Sequence, residues 1–240
     1  MRFEPSIILD NAPLFLKGAL LTLEISACAL SIGFVLGVAI ALLRLAPSRV
    51  LHGFAGGYIA VLRSVPFIIF LFLVYYGLPF SGIRIPALTT GIVSVALFSS
   101  PYYAEVIRSA IQALPAGQYE SARVIGMSPA QAMRHVIAPQ IVPALIAPAT
   151  NVTLTMIKDS AVLSSITIPE LSYQGLIVQG NTFAPFEVFA AVAGLYWLIS
   201  MAIAEFSRRL ELRVAGMRER RATRNALADR YLSLDKRTAA

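Results

Sequence analysis

Long apolar runs broken by short charged segments dominate this 240-residue chain. Crossing a hydrocarbon core about 30 Å thick takes about 20 mostly apolar residues, and five stretches approach that length. The first runs from Leu20 to Leu43, with Ser26, Ala27, Ser31, Gly33 and Gly37 forming a small-residue face on which another helix can approach closely. Beyond Arg44 and Arg49, an amphipathic lead-in from Tyr58 to Arg63 precedes a short second span from Ser64 to Pro79. The third runs from Ala87 to Ile107, with a kink expected at Pro101 after Ser99 and Ser100. The fourth, Pro139 to Ile157, contains Pro143 and Pro148, and the carbonyls these prolines free need neighbouring helices or a water-filled cavity. The fifth covers Phe186 to Phe206, and Tyr196 and Trp197, well inside it, read as bundle contacts. The predicted fold class is an all-α membrane protein, a polytopic bundle of five transmembrane helices. Residues 1–19 precede the bundle, 20–207 form it, and 208–240 are a basic tail.

Composition agrees, since 57% hydrophobic against 14% charged residues leaves too little polar surface to cover a soluble globule. Sixteen Lys and Arg fall on the side of Arg44, Arg63, Arg108 and the tail, against Arg2, Lys17, Arg84 and Lys158 on the other. That asymmetry predicts an amino terminus outside and a carboxyl terminus in the cytoplasm, a parity that five spans satisfy. The tail holds ten basic and four acidic residues. Topology and anionic headgroups explain it better than nucleic acid, because no stacking aromatics accompany it beyond Tyr231. The first seventeen residues, with Glu4, Pro5, Asp10, Pro13 and Lys17, do not read as a cleavable signal, so the first span is expected to serve as one. Cys28 reads as a packed small residue. His52 and His135 have no acid or thiol at ligand spacing, so no metal is assigned.

The most informative loop is Gln118 to Val136, QYESARVIGMSPAQAMRHV. Gly126 can take positive φ and end one short helix. Ser128, Pro129 and Gln131 form a capping box with proline in the first helical position, which starts a second. A helical elbow follows, with Val124, Ile125 and Met127 near its apex. It suits insertion into a partner's groove, although an ordinary connecting loop is also compatible with these residues.

Glu120, Ser121, Ala122, three residues, Gly126, nine residues, Val136, one residue, Ala138 and Pro139 resemble the EAA loop of bacterial ATP-binding-cassette (ABC) importer permeases. The departures are Ser121 for alanine, Val136 for isoleucine and Ala138 for leucine. The resemblance extends over nearly the whole chain to the polar amino acid branch, through FLKGALLTLEIS, LRSVPFIIFLFLVYYGLP, SSPYYAEVIRSAIQAL and MIKDSAVLSSITIPEL. Arg63, Ser64, Val65, Pro66 stand where that branch reads R-G-T-P, and Pro101, Tyr102 where it reads A-Y. The resemblance implies a permease in the bacterial inner membrane, paired with a second copy or a sister permease. Two cytoplasmic ATPase subunits would drive it, and an extracytoplasmic solute-binding protein would deliver an amino acid. It places ATPase coupling on Tyr119, Glu120, Ser121, Ala122, Gly126, Met127 and Pro139. ATP belongs to the partner, since no G-x-x-x-x-G-K-[ST] motif occurs here.

Charges at membrane depth default to functional hypotheses. Glu24, near the outer end of its span, can hydrogen-bond to a neighbour, while Glu105 with Arg108 and Glu205 with Arg208 and Arg209 read as inner-surface ion pairs. Lys158, Asp159 and Ser160 interrupt apolar sequence, and two readings stand. In one, the two charges neutralise each other at the outer interface. Alternatively, the backbone unwinds at Asp159 and restarts at Ser160, with exposed amides meeting a substrate carboxylate and Asp159 its ammonium. The family resemblance favours the second reading, and Ser99 and Tyr75 join as pathway candidates. A membrane-embedded enzyme would need an intramembrane base, and the spans contain no histidine. A channel or ion-driven carrier would have no use for the elbow at Gly126.

Overall fold

A computed structural model describes the backbone of residues 3–238 and the side chains up to residue 214. The described chain is helical: α1 (Pro5–Asp10), α2 (Ala12–Leu45), α3 (Arg49–Ser64), α4 (Phe67–Phe80), α5 (Ala87–Gln112), α6 (Ala116–Val124), α7 (Pro129–Ala132), α8 (Ala138–Asp159), α9 (Leu171–Thr182) and α10 (Pro185–Thr238). A π-helical turn, Met133–Ile137, joins α7 to α8, and a 3₁₀ segment, Ser160–Ile166, continues α8. Three stretches are long and apolar enough to cross a membrane: Ala12–Leu45, Pro129–Ile166 and Pro185–Val214. The pair α3 and α4, bent by 104°, makes a fourth if it is one span. Pro66 sets that bend, because it lacks an amide proton and holds Val65 extended at φ −105°, ψ 135°.

The predicted third span coincides with α5, which is long enough but falls outside the stretches that qualify by hydropathy. Its Thr90, Ser94, Ser99 and Ser100 are buried inside the protein rather than facing lipid. α2 packs along it closely, because glycines stand at the contact. A Cβ on Gly33 would lie 2.9 Å from the Ala96 carbonyl oxygen, and one on Gly37 would lie 2.6 Å from Tyr103 Cβ. α5 continues through Pro101, and the carbonyl this proline frees, that of Leu97, accepts from Tyr58 Oη at 3.2 Å and Ser100 Oγ at 2.8 Å. Ile25, Leu71, Phe98, Ile157 and Leu163 pack together from α2, α4, α5, α8 and the 3₁₀ segment to form the main core.

Helical phase overturns two expectations. Cys28 is exposed, on the opposite side of α2 from buried Ile25, Ser26, Ala29 and Leu30. Tyr196 packs inward, but Trp197, one residue and about 100° further round the helix, is 62% exposed. The predicted fifth span has no helical stop at Phe206, and α10 runs on through the basic tail.

Candidate functional site

The elbow forms as its sequence dictates. Gly126 has φ +81°, the Gly126 amide donates to the Arg123 carbonyl (3.0 Å) and the Met127 amide to that of Ala122 (3.1 Å), a Schellman closure of α6. The Ser128 amide donates to Gln131 Oε1 at 2.8 Å and the Gln131 amide to Ser128 Oγ at 3.3 Å, the reciprocal capping box that starts α7. Ala122 and Ala132 are buried between these helices, and Gln140 Nε2 donates to Gln118 Oε1 at 2.9 Å, tying α6 to α8. Val124 and Ile125 are 87% and 72% exposed at the apex. Tyr119, Glu120, Ser121 and Pro139 are exposed beside them, and Met127 is half-buried. Thus the predicted coupling residues share one compact knob with an apolar tip.

The pathway candidates are only partly brought together. Lys158 is exposed and Asp159 half-buried. They do not pair: among the described residues the ion pairs join Glu105 to Arg108 and Glu205 to Arg208 and Arg209. The expected unwinding at Asp159 is absent, since Asp159 (φ −66°, ψ −24°) and Ser160 (φ −62°, ψ −17°) stay helical. The helix tightens instead, because Ser160, Ser164 and Ser165 hydroxyls donate three residues back to Ile157, Ala161 and Val162 carbonyls at 2.6–2.7 Å. The break comes at Thr167, which is left-handed at φ 63°. Ser160 is therefore buried and satisfied, and no free amides are offered at this point. Ser99 is fully buried in the α2–α5 contact, away from any path surface. Tyr75 is half-buried on α4, its ring 5.0 Å from that of Tyr76.

One face of α8 carries Asn151, Thr155 and Lys158, all exposed and spaced four and three residues apart. These spacings put them on one stripe of a span.

Sequence reasoning did not single out Glu170. It is fully buried and caps α9, accepting from the Tyr173 amide at 2.9 Å, Tyr196 Oη at 2.9 Å and Thr22 Oγ1 at 3.3 Å. Thr22 Oγ1 in turn accepts from the Leu171 amide at 3.1 Å, so one carboxylate joins α2, α9 and α10. The available signal was an acid directly after Pro169 at the start of helical sequence.

Helices long and apolar enough to cross a membrane, joined through a capped elbow and carrying an exposed polar stripe on α8, fit a membrane transport subunit. Residues 33–216 match the family described as "Binding-protein-dependent transport system inner membrane component", and the chain belongs to that family. It is 34% identical over 209 residues to the probable glutamine ABC transporter permease protein GlnM of Bacillus subtilis (strain 168), covering 87% of this chain and 97% of the relative. It is 31% identical over 216 residues to the glutamine transport system permease protein GlnP of Escherichia coli (strain K12), covering 89% and 99%. Among solved structures, an amino acid ABC transporter with histidines superposes with a TM-score of 0.82 at 35% identity, over 89% of this chain and all of that one. The MetNI methionine ABC transporter in an inward-facing conformation gives 0.74 at 25% identity, over 84% and 96%. The chain is thus a multi-pass inner-membrane permease subunit of an ABC transporter. It is a translocation subunit and not an enzyme, and ATP hydrolysis in such systems belongs to a separate subunit.

Proposed function

We infer that this permease carries polar amino acids inward along the exposed polar face of α8. The observation that supports this reading is the stripe Asn151, Thr155 and Lys158, which is too costly to turn to lipid and finds water if a second copy or sister permease presents the same face across a two-fold axis. The bundle then has five spans, α2, the α3–α4 pair, α5, α8 and α10, with the amino terminus outside and the carboxyl terminus cytoplasmic. Lys158 meets the substrate carboxylate and Asp159 its ammonium group, with Tyr75 as an aromatic wall. Ser160 and Ser99 hold the helices that carry them. Two cytoplasmic ATPase subunits each grip one elbow, with Val124 and Ile125 seated in a groove, and an extracytoplasmic binding protein supplies the amino acid. The glutamine names of the relatives above favour an uncharged polar side chain.

The test is ATP hydrolysis by the complex reconstituted with its ATPase and binding protein, with each of the twenty amino acids supplied in turn. One or a few polar amino acids should raise the rate severalfold. Stimulation by none of them, or by apolar ones alone, would overturn the substrate class.

A further inference from the structure

Proline stands inside both α5 and α8, and each such proline removes the amide that would close the carbonyl four residues back. In α5 the protein repairs the loss, since the Leu97 carbonyl freed by Pro101 accepts from the Tyr58 and Ser100 hydroxyls. In α8 it does not. Pro148 frees the carbonyl of Ala144, and among the described residues no side chain donates to it. The hydroxyls of Thr150, Thr153 and Thr155 donate to the carbonyls four residues back, those of Ile146, Ala149 and Asn151. Four residues beyond Ala144 stands Pro148 itself, with neither hydroxyl nor amide.

Position gives this carbonyl its meaning. Ala144 and Pro148 are exposed, and steps of four, three, four and three residues carry one face of α8 from Ala144 through Pro148, Asn151 and Thr155 to Lys158. Ala144 lies about 10 Å along the axis from Asn151 and about 21 Å from Lys158. A bare carbonyl is as unfit for lipid as the Asn151 amide, so this face needs water along the elbow half of α8 too. Pro143, by contrast, frees the carbonyl of Pro139, about 140° round the helix from Ala144. The groups also change character along the stripe. Lys158 only donates, Thr155 and Asn151 can donate and accept, and the Ala144 carbonyl only accepts. A carboxylate is welcome at the first end and unwelcome at the last, where an N–H donor is wanted. One amino acid, less than about 4 Å along an extended chain, cannot touch both ends at once.

We propose that the Ala144 carbonyl is a second substrate station, accepting from an N–H of the amino acid, its ammonium group or a side-chain amide, after the amino acid has left Lys158. The station rests on the α8 path inferred above and extends it toward the elbow, where it favours donors over carboxylate side chains.

The test has two arms, both on the complex reconstituted in proteoliposomes with its ATPase and binding protein. In the first, with Cys28 replaced, Ala144→Cys, Asn151→Cys and Leu198→Cys, the last at an exposed apolar position of α10, are treated with a small charged methanethiosulfonate. The Ala144 and Asn151 variants should react at least tenfold faster than the Leu198 variant, whichever amino acid is carried. A reactive Asn151→Cys beside an inert Ala144→Cys would overturn the station alone, and two inert cysteines would overturn the α8 path with it. In the second arm, Pro148→Ala gives the Ala144 carbonyl back its amide. Uptake of radiolabelled L-glutamine should fall at least fivefold, while the melting temperature of the solubilised protein holds or rises because the helix gains a bond. Pro143→Ala, which closes the Pro139 carbonyl off the stripe, should keep uptake within twofold of wild type. Undiminished uptake by Pro148→Ala would overturn the station, and so would equal losses in the two variants, which would mark helix stiffness rather than the carbonyl.

Discussion

At Gly37 the close contact of α2 with α5 depends on a single missing side chain. A β-carbon there would meet Tyr103 Cβ at 2.6 Å and the Ser100 carbonyl oxygen at 3.0 Å, both carried on a central helix that cannot shift alone. Gly37→Val should therefore destabilise the bundle by about 1–3 kcal/mol, the usual cost of overpacking, and lower the melting temperature of the detergent-solubilised protein by several degrees. Gly57→Ala, with nothing within 4 Å, should leave it unchanged. Equal melting of wild type and Gly37→Val would contradict the close approach. Gly33 and Gly37 were legible in the sequence as packing residues, because small residues in an apolar span have few other uses. Ser26, Ala27 and Ser31 read the same way, yet they line the open apolar cavity between α2, α8 and α10 instead. Composition marks a small residue but not which side of the helix it occupies. Glu170 was harder to see, since its partners Thr22 and Tyr196 lie 148 and 26 residues away and only the folded chain brings them together.

Among the elements, α6 and α7 were the most legible, because their boundaries rest on local rules: a glycine at positive φ and a capping box three residues long. The π turn and the 3₁₀ segment were not. The first is an i to i−5 slip, Ala138 amide to Met133 carbonyl, immediately before Pro139, which has no amide to donate. The second depends on serine hydroxyls choosing carbonyls three residues back rather than four. The elbow yields a sharp prediction. Gly126→Val places a β-branched residue at φ +81°, a region it strongly resists, so α6 and α7 should lose their mutual orientation and carry Val124 and Ile125 out of place. Membrane insertion should be spared while pull-down of the ATPase subunit falls several-fold. Undiminished association together with undiminished uptake would refute the coupling role. Ser128→Ala, which removes one half of the capping box at a cost of about 1 kcal/mol, should give a milder loss in the same assay.

For the molecule as a whole, the hydropathy pattern located the apolar segments because lipid imposes length and polarity together. It missed the depth of α5, whose burial among other helices relieves it of any need for an apolar exterior. The proposed topology, with the amino terminus outside, rests on the sixteen-to-four split of basic residues. With Cys28 replaced, a cysteine at Ser6 should react with an impermeant reagent added to intact cells and one at Ser233 should not, and the reverse labelling would invert the bundle. The central claim is that a polar face of α8 carries the substrate past Lys158 and Asp159. Asp159→Asn keeps the side chain's size and removes only its charge, so uptake of radiolabelled amino acid at matched expression should fall severely while the complex still assembles. In the Lys158→Met, Asp159→Asn double mutant a merely mutual neutralisation would be undone on both sides, leaving no uncompensated cation. The account predicts that uptake by the double mutant stays as low as by the single one, and recovery to near wild type would contradict it.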